Sequence, residues 1–272
     1  MYPFFEFLCK CKSNHPVMNK IKKISVPKIV SMENSWYELA DPKHFWMRWR
    51  FKIIHKNIHK FINSQTKILE IGCGNGAVMK QFHDSIHCVI DGCDINADAF
   101  KEMHSIPGNV FLYDIYDQNP DLIKKYDIVL LLDVIEHLDN DQEFLEKALM
   151  HLKQGGLIVM SVPAKKFLYS NYDLLIGHKR RYNIKSINQL FRTLNVDVIQ
   201  VKYWGFLLLP LLIVRKLYLD LFHIRNNVRA GFKPPNQFIN RILLFGMKLE
   251  TAWFSTVIVG TSIFAIGRKK ND

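Results

Sequence analysis

The sequence predicts an α/β fold built on a doubly wound, mostly parallel sheet, and three observations carry that reading. A short β-rich run, Lys67 to Ile71, opens directly into Gly72, Gly74 and Gly76 and then into a helix-like segment. A second run, Tyr126 to Asp133 (YDIVLLLD), is too continuously apolar to face water on either side, as expected of a strand buried on both faces of a parallel sheet. Between residues 67 and 203 strand-like and helix-like segments alternate, and alternation of that kind implies right-handed crossovers with ligands at the carboxyl ends of the strands.

The elements follow in order. Residues 1–35 are Lys-rich, contain Pro16 and Pro27 and hold no sustained period, so they read as a basic, disordered arm. Pro42 to Phe61 reads as a basic amphipathic helix, with Phe45, Trp49 and Ile53 on its apolar side and Arg48, Arg50, Lys52 and Lys56 on its polar side. The first strand, Lys67 to Ile71, leads into a helix from Gly76 to Phe82. Strand two is His87 to Asp94, followed by a helix from Ala97 to His104, and strand three is Val110 to Tyr113. Strand four is Tyr126 to Asp133, followed by a helix from Asp141 to Leu152. A Gln154-Gly155-Gly156 turn precedes strand five, Leu157 to Val162. A helix over Ile184 to Leu194, strand six over Val196 to Tyr203 and a last strand over 261–267 complete the reading.

Composition narrows the function classes. The chain has 272 residues, 49% of them hydrophobic, enough for one large α/β domain with appendages. Five cysteines, an odd number with no C-x-x-C pair, argue against a disulfide framework or a zinc site and for a reducing compartment. The opening MYPFFEFLCK lacks the basic n-region and cleavage site of a secretory signal, so a cytoplasmic location is expected. Charge is segregated: residues 1–60 hold 12 Lys/Arg against 4 Asp/Glu, residues 61–177 hold 9 against 17, and residues 178–272 hold 16 against 4. An acidic middle suits a cationic ligand, and basic flanks suit nucleic acid or lipid headgroups.

The glycine loop leaves backbone N–H groups exposed at a helix N-terminus, with no Cβ to hold a ligand away. Gly72, Gly74 and Ala77 satisfy the loose dinucleotide fingerprint G-x-G-x-x-A. Glu70, two residues before the first glycine, favours a ligand without phosphate there. Asp94 lies 20 residues after Gly74, a spacing suited to a carboxylate on a ribose diol. It does not separate the two cofactor classes, because both carry ribose hydroxyls.

The string EIGCGNG resembles the first motif of class I S-adenosylmethionine (SAM) methyltransferases, and DVIEHL, Asp133 to Leu138, resembles their signature after strand four, including that of ubiquinone-pathway O-methyltransferases. The HFWMRWR helix and the D-x-x-x-G-H-x-R-R-Y segment from Asp173 to Tyr182 are similar to a large bacterial group of such enzymes, the type 11 and type 23 methyltransferases. The resemblance covers residues 40–204. It implies a Rossmann-like sheet of seven strands whose last strand inserts antiparallel beside strand six. It also implies SAM as cofactor, bound by Glu70, Gly72, Cys73, Gly74 and Gly76, by Asp94 with Ile95, by Asp114 with Ile115 at the adenine, and by Asp133 and Val134. His137, His178 and Tyr182 become candidate catalytic residues, and Trp46, Arg48 and Arg180 candidate substrate residues. His137 suits a general base because an imidazole titrates near neutral pH. No metal is expected. The one metal arrangement to weigh is Asp133, Glu136 and His137, since some ubiquinone-pathway relatives hold a divalent ion at that spacing.

About 57 residues separate Tyr203 from Thr261, some ten times an ordinary connection. They divide the chain into the arm (1–35), a cofactor core (36–204), an apolar helical insertion (205–260), and the last strand with a basic tail (261–272). Trp204 to Val214 is uncharged but too short to span a bilayer and contains Pro210, so it suits an interfacial helix or a soluble lid. Thr251 to Gly267 is a second uncharged run, long enough for a marginal span. These readings favour methyl transfer to a small acceptor, either lipid-linked or otherwise amphipathic, beside an anionic membrane surface. A SAM-dependent RNA methyltransferase is the alternative that the charge suggests, but no RNA-binding module or N-P-P-Y tetrapeptide is present, so no nucleic-acid partner is expected. A nicotinamide oxidoreductase and a silent scaffold with the same fold remain open.

Overall fold

A computed structural model describes residues 21–28, 30, 35–221, 236–253 and 257–270. Its centre is an eight-stranded sheet: β1 (Ile21–Lys23), β2 (Ile68–Ile71), β3 (Asp91–Asp94), β4 (Val110–Leu112), β5 (Tyr126–Leu132), β6 (Leu152–Pro163), β7 (Val196–Trp204) and β8 (Ser262–Lys269). The strand order is β1-β4-β3-β2-β5-β6-β8-β7. Every pairing is parallel except those of β8, which lies antiparallel between β6 and β7. The order reverses between β2 and β5, and a doubly wound sheet opens its crevice at that point.

Helices cover both faces: α1 (Ser35–Leu39), α2 (Phe45–Ile58), α3 (Ala77–Ile86), α4 (Asp141–Met150), α5 (Asn171–Leu175), α6 (Ile184–Thr193), α7 (Leu209–Leu221) and α8 (Gln237–Trp253). One core packs α4 and α6 on the sheet around Tyr126, Val129, Leu131 and Phe191; the other packs α2 and α3 around Trp49, Ile54, Phe82 and Leu130. Alternate residues of β5 thus enter opposite cores, which is why that strand carries no polar alternation.

The structure corrects several expectations. The sheet has eight strands rather than seven, because Ile21–Lys23, expected within a disordered arm, pairs in parallel with Val110–Leu112. Pairing satisfies an edge that β4 otherwise leaves open. Residues 1–20, 29 and 31–34 of that arm lie outside the described residues. The segment after β3 is a 3-10 helix, Ala97–Glu102, capped by Asn96, which accepts the Asp98 N–H at 3.0 Å. Residues 262–267, part of the marginal span expected over 251–267, belong to β8 instead. Among the described residues no helix is long and apolar enough to cross a membrane.

Candidate functional site

The carboxyl ends of β2, β3 and β5 meet α2 and the insertion around a cavity of about 400 Å³, a size typical of small-molecule sites. The loop after β2 forms one wall. Gly72 has φ +78 and a Cβ there would meet Val134 at 2.7 Å; Gly74 has φ +54 and a Cβ there would meet the Tyr37 ring at 3.3 Å. Both positions therefore disfavour a side chain by conformation, and Gly72 by space as well.

Asparagines hang a cover on this loop. Asn75 Nδ2 donates to the carbonyls of Tyr37 (2.7 Å) and Ala40 (3.0 Å), and Asn96 Nδ2 donates to the Tyr37 hydroxyl at 3.2 Å. Gln81 Nε2 donates to the Pro42 carbonyl at 2.7 Å. These bonds bring Trp36, Tyr37, His44 and Trp46 onto the cavity. Asp94, at the end of β3, accepts the Gly74 N–H through one oxygen and the Asn96 N–H through the other, both at 2.9 Å. Burial raises its pKa, and those N–H groups only partly reverse the rise.

The wall is acidic. Glu70 is 3% exposed, lines the cavity, and has no hydrogen-bond partner on Oε2. Burial pushes its carboxyl up to about 8, with Asp94 adding to the rise and Arg50 opposing it. Arg50, itself buried on α2, pairs with Asp133, whose backbone turns left-handed at φ 59 just after β5. Burial raises the Asp133 pKa, and the Arg50 guanidinium resists it.

The two segments that the sequence marks out separately, DVIEHL and GHKRRY, fold onto one another. The Lys179 N–H donates to the Glu136 carbonyl at 2.7 Å. The His137 and His178 rings meet edge to face, 4.8 Å between centroids. His178 Nδ1 stands 3.0 Å from Asp173 Oδ1, and Arg181 donates to the same carboxylate at 2.8 Å. Burial alone raises Asp173, but the His178 hydrogen bond and the Arg181 charge outweigh it and hold the group below the usual carboxylate range. An ionised Asp173 fixes the proton on His178 Nδ1 and leaves Nε2 as the basic nitrogen. That Nε2 lies 3.7 Å from the fully buried Glu136, whose pKa burial and the Asp133 charge push well up. Burial and the neighbouring His178 lower His137 to about 3, so it is neutral.

Of the residues expected from sequence, Trp46, Glu70, Gly72, Cys73, Gly74, Asp94, Asp133, His137 and His178 line the cavity. Arg48 is exposed and does not line the cavity; the α2 arginine on the cavity is Arg50, one helical turn after Trp46. Arg180 instead donates to the carbonyls of Leu138 (2.9 Å) and Asp139 (2.7 Å), and Tyr182 donates to Asp141 at 2.7 Å, so both fasten one segment on the other. The cavity arginine of that segment is Arg181. Asp114 pairs with Lys28 at 2.5 Å and its N–H donates to Ser25 Oγ at 2.9 Å. Gly76, Ile95, Ile115 and Val134 do not line the cavity; a Cβ on Gly76 would meet Met103 at 2.8 Å. For the metal arrangement, Asp133 is committed to Arg50, while Glu136, His137 and His178 bring one ligand atom each within 4.8 Å of one another. His178 is the member the sequence spacing missed.

The family model described as a methyltransferase domain matches residues 46–201. Among curated relatives, the ubiquinone biosynthesis O-methyltransferase of Rickettsia bellii is 28% identical over 157 residues, covering 53% of this chain and 63% of that protein. The protein of the same description from Glaesserella parasuis serovar 5 is 26% identical over 157 residues, covering 53% and 65%. The chain thus spans less than two thirds of the length of these relatives. Among solved structures, the cyclase SpnF aligns with a TM-score of 0.55 at 11% identity, over 92% of this chain and all of that one. The MccD protein aligns at 0.52 and 14% identity, over 85% of this chain and all of that one. Likeness at those identities is likeness of fold, and one of these two proteins is named a cyclase, so the fold alone does not fix the reaction.

Proposed function

We propose that this chain, which belongs to the methyltransferase domain family, is a SAM-dependent methyltransferase acting on a small acceptor. The observation that carries this reading is the buried acidic wall of Glu70, Asp94 and Asp133 beside the glycine loop, with Oε2 of Glu70 unpartnered. A phosphate-bearing cofactor would disfavour ionisation of these buried carboxyls further, whereas a group bearing an ammonium and a sulfonium stabilises their charged form. When bound, SAM supplies an electrophilic methyl group.

Glu70, Gly72, Cys73 and Gly74 would hold its aminoacyl end, with Asp94 at the ribose and Asp133 near the methyl. For Asp114 and Ile115 to take the adenine, as the sequence resemblance implies, Lys28 must give up its ion pair. The remaining residues act on the acceptor. Cavity walls of Trp46, His137 and His178 orient it and exclude water, and positioning supplies most of the rate in a displacement of this kind. His178, oriented by Asp173, presents its basic Nε2 to an acceptor proton. The clustering of Glu136, His137 and His178 favours a second reading, in which a divalent cation holds the acceptor oxygen; that reading requires Glu136 ionised, against the rise that burial gives it. Activity surviving a chelator would end it.

The acceptor is amphipathic or lipid-linked, because Leu208, Leu212 and Leu243 of the insertion line the cavity beside its polar end. Contact of the insertion with a membrane and the division into core (36–204), insertion (205–260) and closing strand (261–272) belong to the same proposal. Thermal-shift and calorimetric titrations with S-adenosylhomocysteine, SAM and NAD test it. Stabilisation by the first two is expected; a response to NAD alone overturns the reading in favour of a dehydrogenase.

A further inference from the structure

We propose that the outer faces of α7 and α8 dock this protein on an anionic lipid bilayer, and that the apolar part of the acceptor enters the cavity from that bilayer. The second clause rests on the methyltransferase reading; the first does not.

Each insertion helix is apolar on two sides. Leu208 and Leu212 of the α7 region face the cavity, yet Leu207, Val214 and Leu217 are turned outward. On α8, Leu243 faces the cavity and Met247 the core, while Phe238, Ile242 and Phe245 recur at helical spacing on the outside, Phe245 at 63% exposure. A helix against a soluble core needs one apolar stripe, so the second stripe requires a partner. Leu211 joins the two sides: it lines the cavity and is 56% exposed, so the cavity mouth opens onto the apolar face.

Charge decides the occupant. Arg241 and Lys248 are exposed on the outside of α8, whereas the α7 cations are engaged inward, Arg215 over the Tyr172 ring at the cavity and Lys216 donating to the Phe167 and Tyr169 carbonyls. The acid of α8, Glu250, is turned inward onto the N–H groups of Gly205 and Leu207. Two copies of such a face would bring like charges together, whereas anionic headgroups complement them. Since no described helix is long and apolar enough to span, contact is interfacial.

Co-sedimentation of the full chain with phosphatidylcholine vesicles, with and without phosphatidylglycerol, tests this. Binding to the anionic vesicles is expected, weakening as salt rises from about 0.1 M to about 0.5 M. An Ile242→Asn/Phe245→Asn variant should partition about tenfold less or weaker still. Both positions are exposed and off the cavity, so this variant should keep its S-adenosylhomocysteine affinity. Lost affinity with intact folding by circular dichroism would count against the separation of the two surfaces and overturn the proposal. No binding to either vesicle overturns it, and equal, salt-insensitive binding to both overturns its electrostatic part. A concentration-dependent dimer that the double variant dissolves assigns the face to a second copy instead. Failure to bind S-adenosylhomocysteine alongside normal vesicle binding would overturn the methyltransferase reading and leave the docking face standing.

Discussion

Glu70 is a buried acid held for a positive partner. Its pKa in the folded protein, about 8, lies above the unfolded value near 4.5, so the folded state retains the proton more strongly. The sign follows: Glu70 makes stability fall as pH rises from about 4.5 to about 8, and above 8 the cost is constant. A Glu70→Gln protein should therefore gain on the order of 4 kcal/mol over the parent at pH 8 and only about 1 kcal/mol at pH 5, read from melts without ligand. Cofactor binding runs the other way. A cation stabilises the ionised carboxyl, so SAM affinity should rise with pH up to about 8, by at most about tenfold per unit, and release a proton near pH 7. Calorimetry in buffers of different ionisation enthalpy measures that proton; its persistence in Glu70→Gln would assign it to another group. Glu70 and Asp94 were legible in the sequence because both stand at fixed offsets from the glycine loop. Arg50 was not, because a buried arginine is intelligible only through its partner, and Asp133 lies 83 residues away. The same holds for Arg181, whose neighbour Arg180 carries the same side chain and differs only in which way the backbone turns it.

At the scale of elements, legibility followed burial. β5 and the loop after β2 were readable because periodicity and glycine spacing are set by the sheet itself. β1 was not, because Ile-Lys-Lys has no strand pattern and becomes a strand only against β4. β3 forms only over Asp91–Asp94, and not from His87 as expected, since β2 and β4 offer ladders only four and three residues long. One side chain that fastens the insertion carries no signal in the sequence. Glu250 is 3% exposed and accepts N–H groups from Gly205 (2.8 Å), Phe206 (3.2 Å) and Leu207 (3.0 Å), where the chain leaves β7. It does for that turn what a capping residue does for a helix start. Glu250→Ala strands those N–H groups and should cost about 3 kcal/mol in urea denaturation, while Glu250→Gln, which keeps an acceptor oxygen, should cost about 1 kcal/mol. An unchanged midpoint in Glu250→Ala would mean that the insertion contributes nothing to the cooperative unit.

For the whole molecule, α2 is the piece that touches both ends of the proposed cycle. Its Trp46, Met47 and Arg50 line the cavity, and its other side packs against α8, where Lys56 Nζ donates to the Thr251 carbonyl. Trp46 and Trp49 also meet Trp204 at the end of β7, 5.9 Å and 5.4 Å between ring centroids. A ligand at the glycine loop and a bilayer against α7 and α8 therefore restrain the same helix from opposite sides. Ordering paid once by the first lowers the cost of ordering for the second, which is positive coupling without a change of fold. Amide hydrogen exchange on the full chain separates the contributions. S-adenosylhomocysteine should slow exchange in residues 70–80 and in α2, and anionic vesicles should slow α7, α8 and α2. With both present, α2 should slow by more than the product of the separate effects, because opening it then requires leaving two surfaces. By reciprocity, vesicles should tighten S-adenosylhomocysteine binding by the same factor that the ligand tightens membrane partition, on the order of fivefold for a coupling of about 1 kcal/mol. Simple multiplicative protection of α2 would show that the cavity and the docking face, though adjacent, are energetically independent.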